Sequence, residues 1–220
     1  MKTTEDELMS KNSRQYMPTY VLITANVAVY AFASILSGSL TTSDEVLNAL
    51  GQINSKVWSG EVWRLFTAIF VHADILHIFG NMFFLLIFGL RAEDMFDIKE
   101  YLLIYFLSGL SGGLLTLALW PPDTLSVGAS GAIFGILGAT IIYARRSIGQ
   151  SIMGALLYAF FFFIINLGTN VNYLAHFGGL ATGLLIGYAL AASRRNKRVT
   201  YEYKYPDSWG KAGYAVETNA

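Results

Sequence analysis

Gly128-Ala129-Ser130-Gly131-Ala132-Ile133-Phe134-Gly135-Ile136-Leu137-Gly138-Ala139-Thr140-Ile141-Ile142-Tyr143-Ala144 places a serine at the head of a run that is apolar but for Thr140. As a helix from Ser130 to Ala144 this run spans roughly 22 Å at 1.5 Å per residue, against a hydrocarbon core of about 30 Å. It does not reach both faces of a bilayer, so Ser130 is expected inside the membrane. Non-helical backbone at that depth, here Trp120 to Gly128, is tolerated only where protein or a wet cavity surrounds it. A buried, hydrated pocket around Ser130 follows.

Composition agrees with a membrane setting. The 220 residues are 54% hydrophobic and 14% charged, with a mean hydropathy of +0.47, as in polytopic membrane proteins. Net charge is zero, so nothing favours nucleic acid as a partner. The chain has no cysteine, which removes disulfides, thiolate metal sites and a cysteine nucleophile together. Met1 to Met17 is polar, and the first apolar run lacks a small-residue cleavage signal, so it reads as a retained span rather than a leader.

Six apolar spans are expected, at about 20–36, 75–90, 101–119, 130–144, 151–167 and 171–192. The fold class is therefore an all-α polytopic membrane protein whose fourth helix is short and starts inside the bilayer. The run Leu65 to Val71 extends the second span backwards until His72-Ala73-Asp74 breaks it, so that helix is expected to start near Ile75. Lys56 and Arg64 alone among the lysines and arginines fall in segments outside, with the rest inside. The expected layout is a cytoplasmic N-terminal segment 1–18, a membrane domain 19–192 and a cytoplasmic tail 193–220, in the cell membrane, with Ser130 opening to the outer face. The outer loop 37–74 carries Trp58, Trp63 and Phe66 and reads as interfacial. The residues from Val199 onward show no hydrophobic period and read as a mobile tail.

Among polar side chains in spans, where an ionisable group costs roughly 2.5–3.5 kcal/mol on insertion scales, three stand out: His77, Asn81 and His176. His77 and Asn81 are four apart and project about 40° from one another on a helix, so they can donate to one small target. A plain interhelical polar pair is the alternative. His176 precedes Gly179, Gly183 and Gly187, and the fourth span carries Gly131, Gly135, Gly138 and Ala139. If those small-residue stripes pack together, Ser130 and His176 come within reach at the outer ends of adjacent helices.

That set supplies what acyl transfer needs. Ser130 is the nucleophile and neutral His176 its base; no carboxylate lies in a span to orient the ring, so a dyad is expected. The Ser130 backbone N–H with Asn81 and His77 would form the oxyanion hole. Competing motifs fail. There is no His-Glu-x-x-His helix and no pair of aspartates in spans, and Ala132 stands where Gly-x-Ser-x-Gly requires glycine. No metal or cofactor is expected.

In order along the chain stand Glu61-Val62-Trp63-Arg64, His72, His77-x-x-x-Asn81, Glu93, Gly128-x-Ser130-Gly131 and Ala175-His176-x-x-Gly179-x-x-x-Gly183. Over about Gly60 to Ala192 this pattern resembles the rhomboid family of intramembrane serine proteases, a six-helix membrane bundle. The resemblance implies Ser130 as nucleophile, His176 as general base, and an oxyanion hole from His77, Asn81 and the Ser130 amide. It implies structural roles for Trp63 and Arg64 in the outer loop and a position beside the site for His72. Phe134, where many members carry tyrosine, would pack on His176. Gly128, Gly131, Gly179 and Gly183 would complete the framework. Single-span membrane proteins are the implied substrates and the lipid bilayer the setting, while oligomeric state stays open. Phe160-Phe161-Phe162-Phe163 reads as a lipid-facing cluster, with a lateral substrate gate as the alternative. Glu93-Asp94 and Arg145-Arg146 read as inner-face anchors. A non-proteolytic scaffold and a small transporter are the competing functions.

Overall fold

The computed structural model describes residues 17–148, 153, 171–194, 199–201 and 216–218. In chain order these form α1 (Met17–Ser37), α2 (Asp44–Leu50), β1 (Gln52–Ile53), α3 (Asn54–Trp58), α4 (Arg64–Thr67) and a 3-10 turn (Ala68–Phe70). There follow α5 (Ile75–Glu93), α6 (Ile98–Leu119), β2 (Leu125–Ser126), α7 (Ser130–Tyr143), a π-helical turn (Ala144–Ile148), α8 (Tyr173–Arg194), β3 (Val199–Tyr201) and β4 (Val216–Thr218).

Helices α1, α5, α6 and α8 are 19 to 22 residues long and apolar enough to cross a bilayer. The molecule is a helical, multi-pass membrane bundle. The 14-residue α7 is shorter than these four, and the expected span 151–167, with Phe160 to Phe163, lies outside the described residues apart from Met153.

Local chemistry sets the helix limits. Asp74 caps α5, its Oδ1 accepting the His77 N–H at 2.8 Å. α6 opens at Ile98, three residues before the expected Tyr101, because Asp97 and Glu100 form a reciprocal capping box. α1 is helical from Met17, the first described residue, ahead of the expected Tyr20. α5 runs past Leu90 to Glu93. Glu93 is buried, and its Oε1 accepts the Thr19 N–H at 2.8 Å. It joins the C-terminal end of α5 to the start of the described part of α1.

The loop 37–74, expected to lie outside, folds into α2, β1, α3, α4 and the 3-10 turn. Its strand β1 pairs antiparallel with β2, Gln52 opposite Ser126 and Ile53 opposite Leu125. Asn54 Nδ2 lies 3.0–3.2 Å from the carbonyls of Thr116, Trp120 and Pro121, tying this loop to the end of α6 and the turn that follows it. Phe66 of α4 stacks on Phe106 of α6 with ring centroids 5.4 Å apart. Arg64 is buried; its Nη1 donates to the Gly51 carbonyl at 2.6 Å, and its Nε pairs with Glu61 at 2.6 Å. Trp63 remains exposed. In the tail, Val199–Tyr201 pairs with Val216–Thr218, so part of the segment expected to lack regular structure forms an antiparallel ladder.

α7 lies at the centre, and 13 of its residues are buried. Its main partners are α8, α6 and α5. The glycine stripes of α7 and α8 face one another: a Cβ on Gly187 would sit 2.5 Å from the Ala139 carbonyl oxygen, and one on Gly179 or Gly183 would strike the carbonyl of Gly131 or Gly135. Backbones this close replace the hydrophobic drive that lipid removes with dispersion contacts.

Candidate active site

Ser130 is the first residue of α7, and the chain enters it through Gly128 at φ +116°, a conformation that side-chain-bearing residues avoid. The Gly128 N–H donates to the Ala68 carbonyl at 2.9 Å, fixing this entrance to the 3-10 turn of the outer loop. His176 stands in the first turn of α8. Across the α7–α8 seam, Ser130 Oγ and His176 Nε2 are 2.8 Å apart. The two residues are 7% and 6% exposed.

Phe134, one turn after Ser130, stacks on the imidazole of His176 with centroids 4.6 Å apart and planes 28° from parallel. Among the described residues His176 Nδ1 has no hydrogen-bond partner. A neutral ring accepting from the serine at Nε2 carries its proton on Nδ1, so the pair is a hydroxyl and a base with no carboxylate behind it.

His77 lies beside Gly128, with His72 and Asn81 in contact with it. The His77 ring flanks Gly128: a Cβ there would lie 2.7 Å from His77 Nε2. His72 is fully buried and meets His77 edge to face, with centroids 5.0 Å apart. Its Nδ1 lies 3.2 Å from the Phe70 carbonyl. Burial, and secondarily the neighbouring His77, lower the His72 pKa from 6.5 to about 3, so the ring is neutral at any physiological pH. Asn81 is buried in α5; its Nδ2 donates one proton to the His77 carbonyl at 2.9 Å, and its Oδ1 has no partner among the described residues. Neither Asn81 nor His77 is hydrogen-bonded to Ser130 among the described residues. Gly131, Gly179 and Gly183 form the seam, whereas Trp63 and Arg64 belong to the outer loop. No group of three or more His, Asp, Glu or Cys among the described residues is arranged to hold a metal.

Sequence reasoning missed two residues here. Gly112 of α6 lets the Ala175 carbonyl approach so closely that an added Cβ would be 2.5 Å from it. Asn172 accepts the Ala175 N–H at 3.0 Å, an N-cap that its position ahead of an apolar run could have signalled. No local pattern announces the Gly112 contact.

Residues 59–193 match the family model described as Rhomboid domain. The chain is 40% identical over 159 residues to RHOMBOID-like protein 6, mitochondrial, of Arabidopsis thaliana, covering 69% of this chain and 52% of that relative. It is 32% identical over 171 residues to Rhomboid-like protease 3 of Toxoplasma gondii (74% and 65%). With the protein YdcA of Bacillus subtilis it shares 31% identity over 198 residues (87% and 98%). The chain thus spans about half the length of the Arabidopsis relative and nearly all of YdcA.

Proposed function

The chain belongs to the rhomboid family, and from that membership and the site geometry we propose that it is an intramembrane serine protease with a Ser130–His176 dyad. The carrying observation is the 2.8 Å contact between a buried serine hydroxyl and a buried imidazole whose far nitrogen has no partner among the described residues. Relatives named as proteases, such as Rhomboid-like protease 3, support the reaction class.

In this reading Ser130 Oγ attacks the scissile carbonyl carbon while its proton passes to His176 Nε2. The tetrahedral oxyanion accepts hydrogen bonds from the Ser130 N–H, the second amide proton of Asn81 and the His77 ring. His176 then gives its proton to the leaving amine as the C–N bond breaks. Water, deprotonated by the same ring, hydrolyses the Ser130 ester and frees the acid. Each oxyanion donor contributes about 10²–10³ in rate. The stack of Phe134 holds the imidazole plane where a carboxylate would otherwise orient it. His72 packs beside His77 and keeps that ring in place. No metal or cofactor takes part.

The proposed frame is a six-span bundle of residues 19–192 in the cell membrane, with both termini cytoplasmic. Its short fourth helix starts inside the bilayer, and Ser130 faces the outer side. Substrates are membrane proteins cut in or near a transmembrane segment, at sequences whose helix opens readily, because an intact helix ties up its carbonyls. The test is cleavage of a labelled single-span substrate in liposomes, with fluorophosphonate modification read by mass at Ser130. Ser130→Ala and His176→Ala should each abolish both. Turnover retained by Ser130→Ala overturns the reading.

A further inference from the structure

We propose that Asn172 is a positioning residue that sets the Ser130–His176 distance by tying the loop that delivers the serine to the helix that delivers the histidine. The inference rests on the protease reading above. Asn172 is the residue before α8, and its side chain reaches three segments at once. Its Oδ1 accepts the Ala175 N–H at 3.0 Å, capping the turn that carries His176. Its Nδ2 lies 2.8 Å from Ser126 Oγ, in β2, four residues before Ser130. The same Nδ2 lies 2.9 Å from Thr116 Oγ1 of α6.

The amide has only one orientation that satisfies all three. A backbone N–H is a donor only, so the amide oxygen must face Ala175 and the nitrogen must face the two hydroxyls. Thr116 Oγ1 lies 2.9 Å from the Gly112 carbonyl and 3.2 Å from Asn172 Oδ1, and its single proton, given to the nearer Gly112 carbonyl, leaves the hydroxyl oxygen free to accept from Nδ2. Both amide protons and the amide oxygen are then used, and the side chain cannot turn without losing a bond. On the loop side the tether is stiff, because Ser126 is paired through its backbone with Gln52 of β1. On the helix side the Ala175 carbonyl is pressed against Gly112. Between these two fixed ends lies the 2.8 Å contact of the dyad, whose imidazole has no second hydrogen bond among the described residues to hold it.

The experiment separates the cap from the tether. Asn172→Ser keeps an oxygen that can cap Ala175 but is too short to reach Ser126; Asn172→Ala removes both functions; Ser126→Ala removes the far end. Each purified full-length variant is assayed in liposomes for kcat and KM on a labelled single-span substrate, for fluorophosphonate labelling rate, and for thermal midpoint in detergent. Asn172→Ser and Ser126→Ala should each lower kcat and the labelling rate by about tenfold with KM within twofold, and Asn172→Ala by 10- to 100-fold. In the Ser126→Ala background, Asn172→Ser should add no more than a further twofold loss, because the tether is already cut. Wild-type kcat in Asn172→Ser, or independent effects that multiply in the double variant, overturns the proposal while leaving the protease reading intact. A wild-type chain that neither cleaves nor labels removes both.

Discussion

Replacing Gly112 by alanine tests whether the dyad distance is set by backbone packing around it. The new methyl group would stand 2.5 Å from the Ala175 carbonyl oxygen, one residue before His176. Real Cβ atoms essentially never come within 3.0 Å of such a neighbour and seldom within 3.4 Å, so the first turn of α8 must retreat by at least about 0.5–0.9 Å, since neither helix backbone is compressible. Carried to the imidazole, that retreat stretches the 2.8 Å Ser130–His176 contact to about 3.3–3.7 Å, at or beyond the hydrogen-bond limit. Misplacement on this scale costs about 10²-fold in rate, equivalent to roughly 2.7 kcal/mol of barrier. The expected result for Gly112→Ala is therefore a hundredfold fall in kcat and in fluorophosphonate labelling at Ser130, with the protein still folded in detergent. Gly80→Ala is the control, because a Cβ there meets nothing within 4 Å; it should behave as wild type. Labelling of Gly112→Ala within threefold of wild type would refute the reasoning.

Gly128→Ala should lower kcat at least tenfold, because φ +116° disfavours a side chain by about 1–3 kcal/mol and the methyl would press on His77 Nε2; undiminished turnover counts against it. Arg64→Ala leaves the buried Gly51 carbonyl without its Arg64 donor, while Asn48 keeps Lys56, and should destabilise the loop 37–74 by about 1–3 kcal/mol. A thermal midpoint equal to that of wild type contradicts this. His72 has a folded-state pKa of about 3, below its ordinary 6.5, so the unfolded chain binds the proton first and the neutral ring stabilises fully above about pH 6.5. That contribution is lost as pH falls toward 3, and His72→Gln should show a shallower acid-side drop in thermal midpoint. A parallel drop in both proteins speaks against it.

The apolar runs of α1, α5, α6 and α8 were legible in the sequence because twenty residues without charge leave a helix few places other than a bilayer. The family was legible because a dispersed set of His, Asn, Ser and Gly kept one order along the chain. Hydropathy, however, reports only distance from water and not which neighbour a residue meets. Glu93 reads as a charge at a helix end, and only the fold shows it accepting from Thr19, 74 residues away. The pairing of Gln52 with Ser126 and the junction of Gly112, Thr116 and Asn172 join segments that share no local period. The short strands of the tail also lacked a pattern long enough to declare themselves.

Because 13 of the residues of α7 are buried within the bundle, that helix is solvated by protein rather than by lipid. Hydrophobic mismatch, which elsewhere penalises a helix shorter than the surrounding acyl chains, therefore acts on the outer ring of helices and not on the one that carries the nucleophile. A thinner or thicker bilayer will tilt α1, α5 and α8 before it strains α7, so reactivity toward a small soluble fluorophosphonate should vary less with acyl-chain length than cleavage of a substrate that must itself reside in those acyl chains.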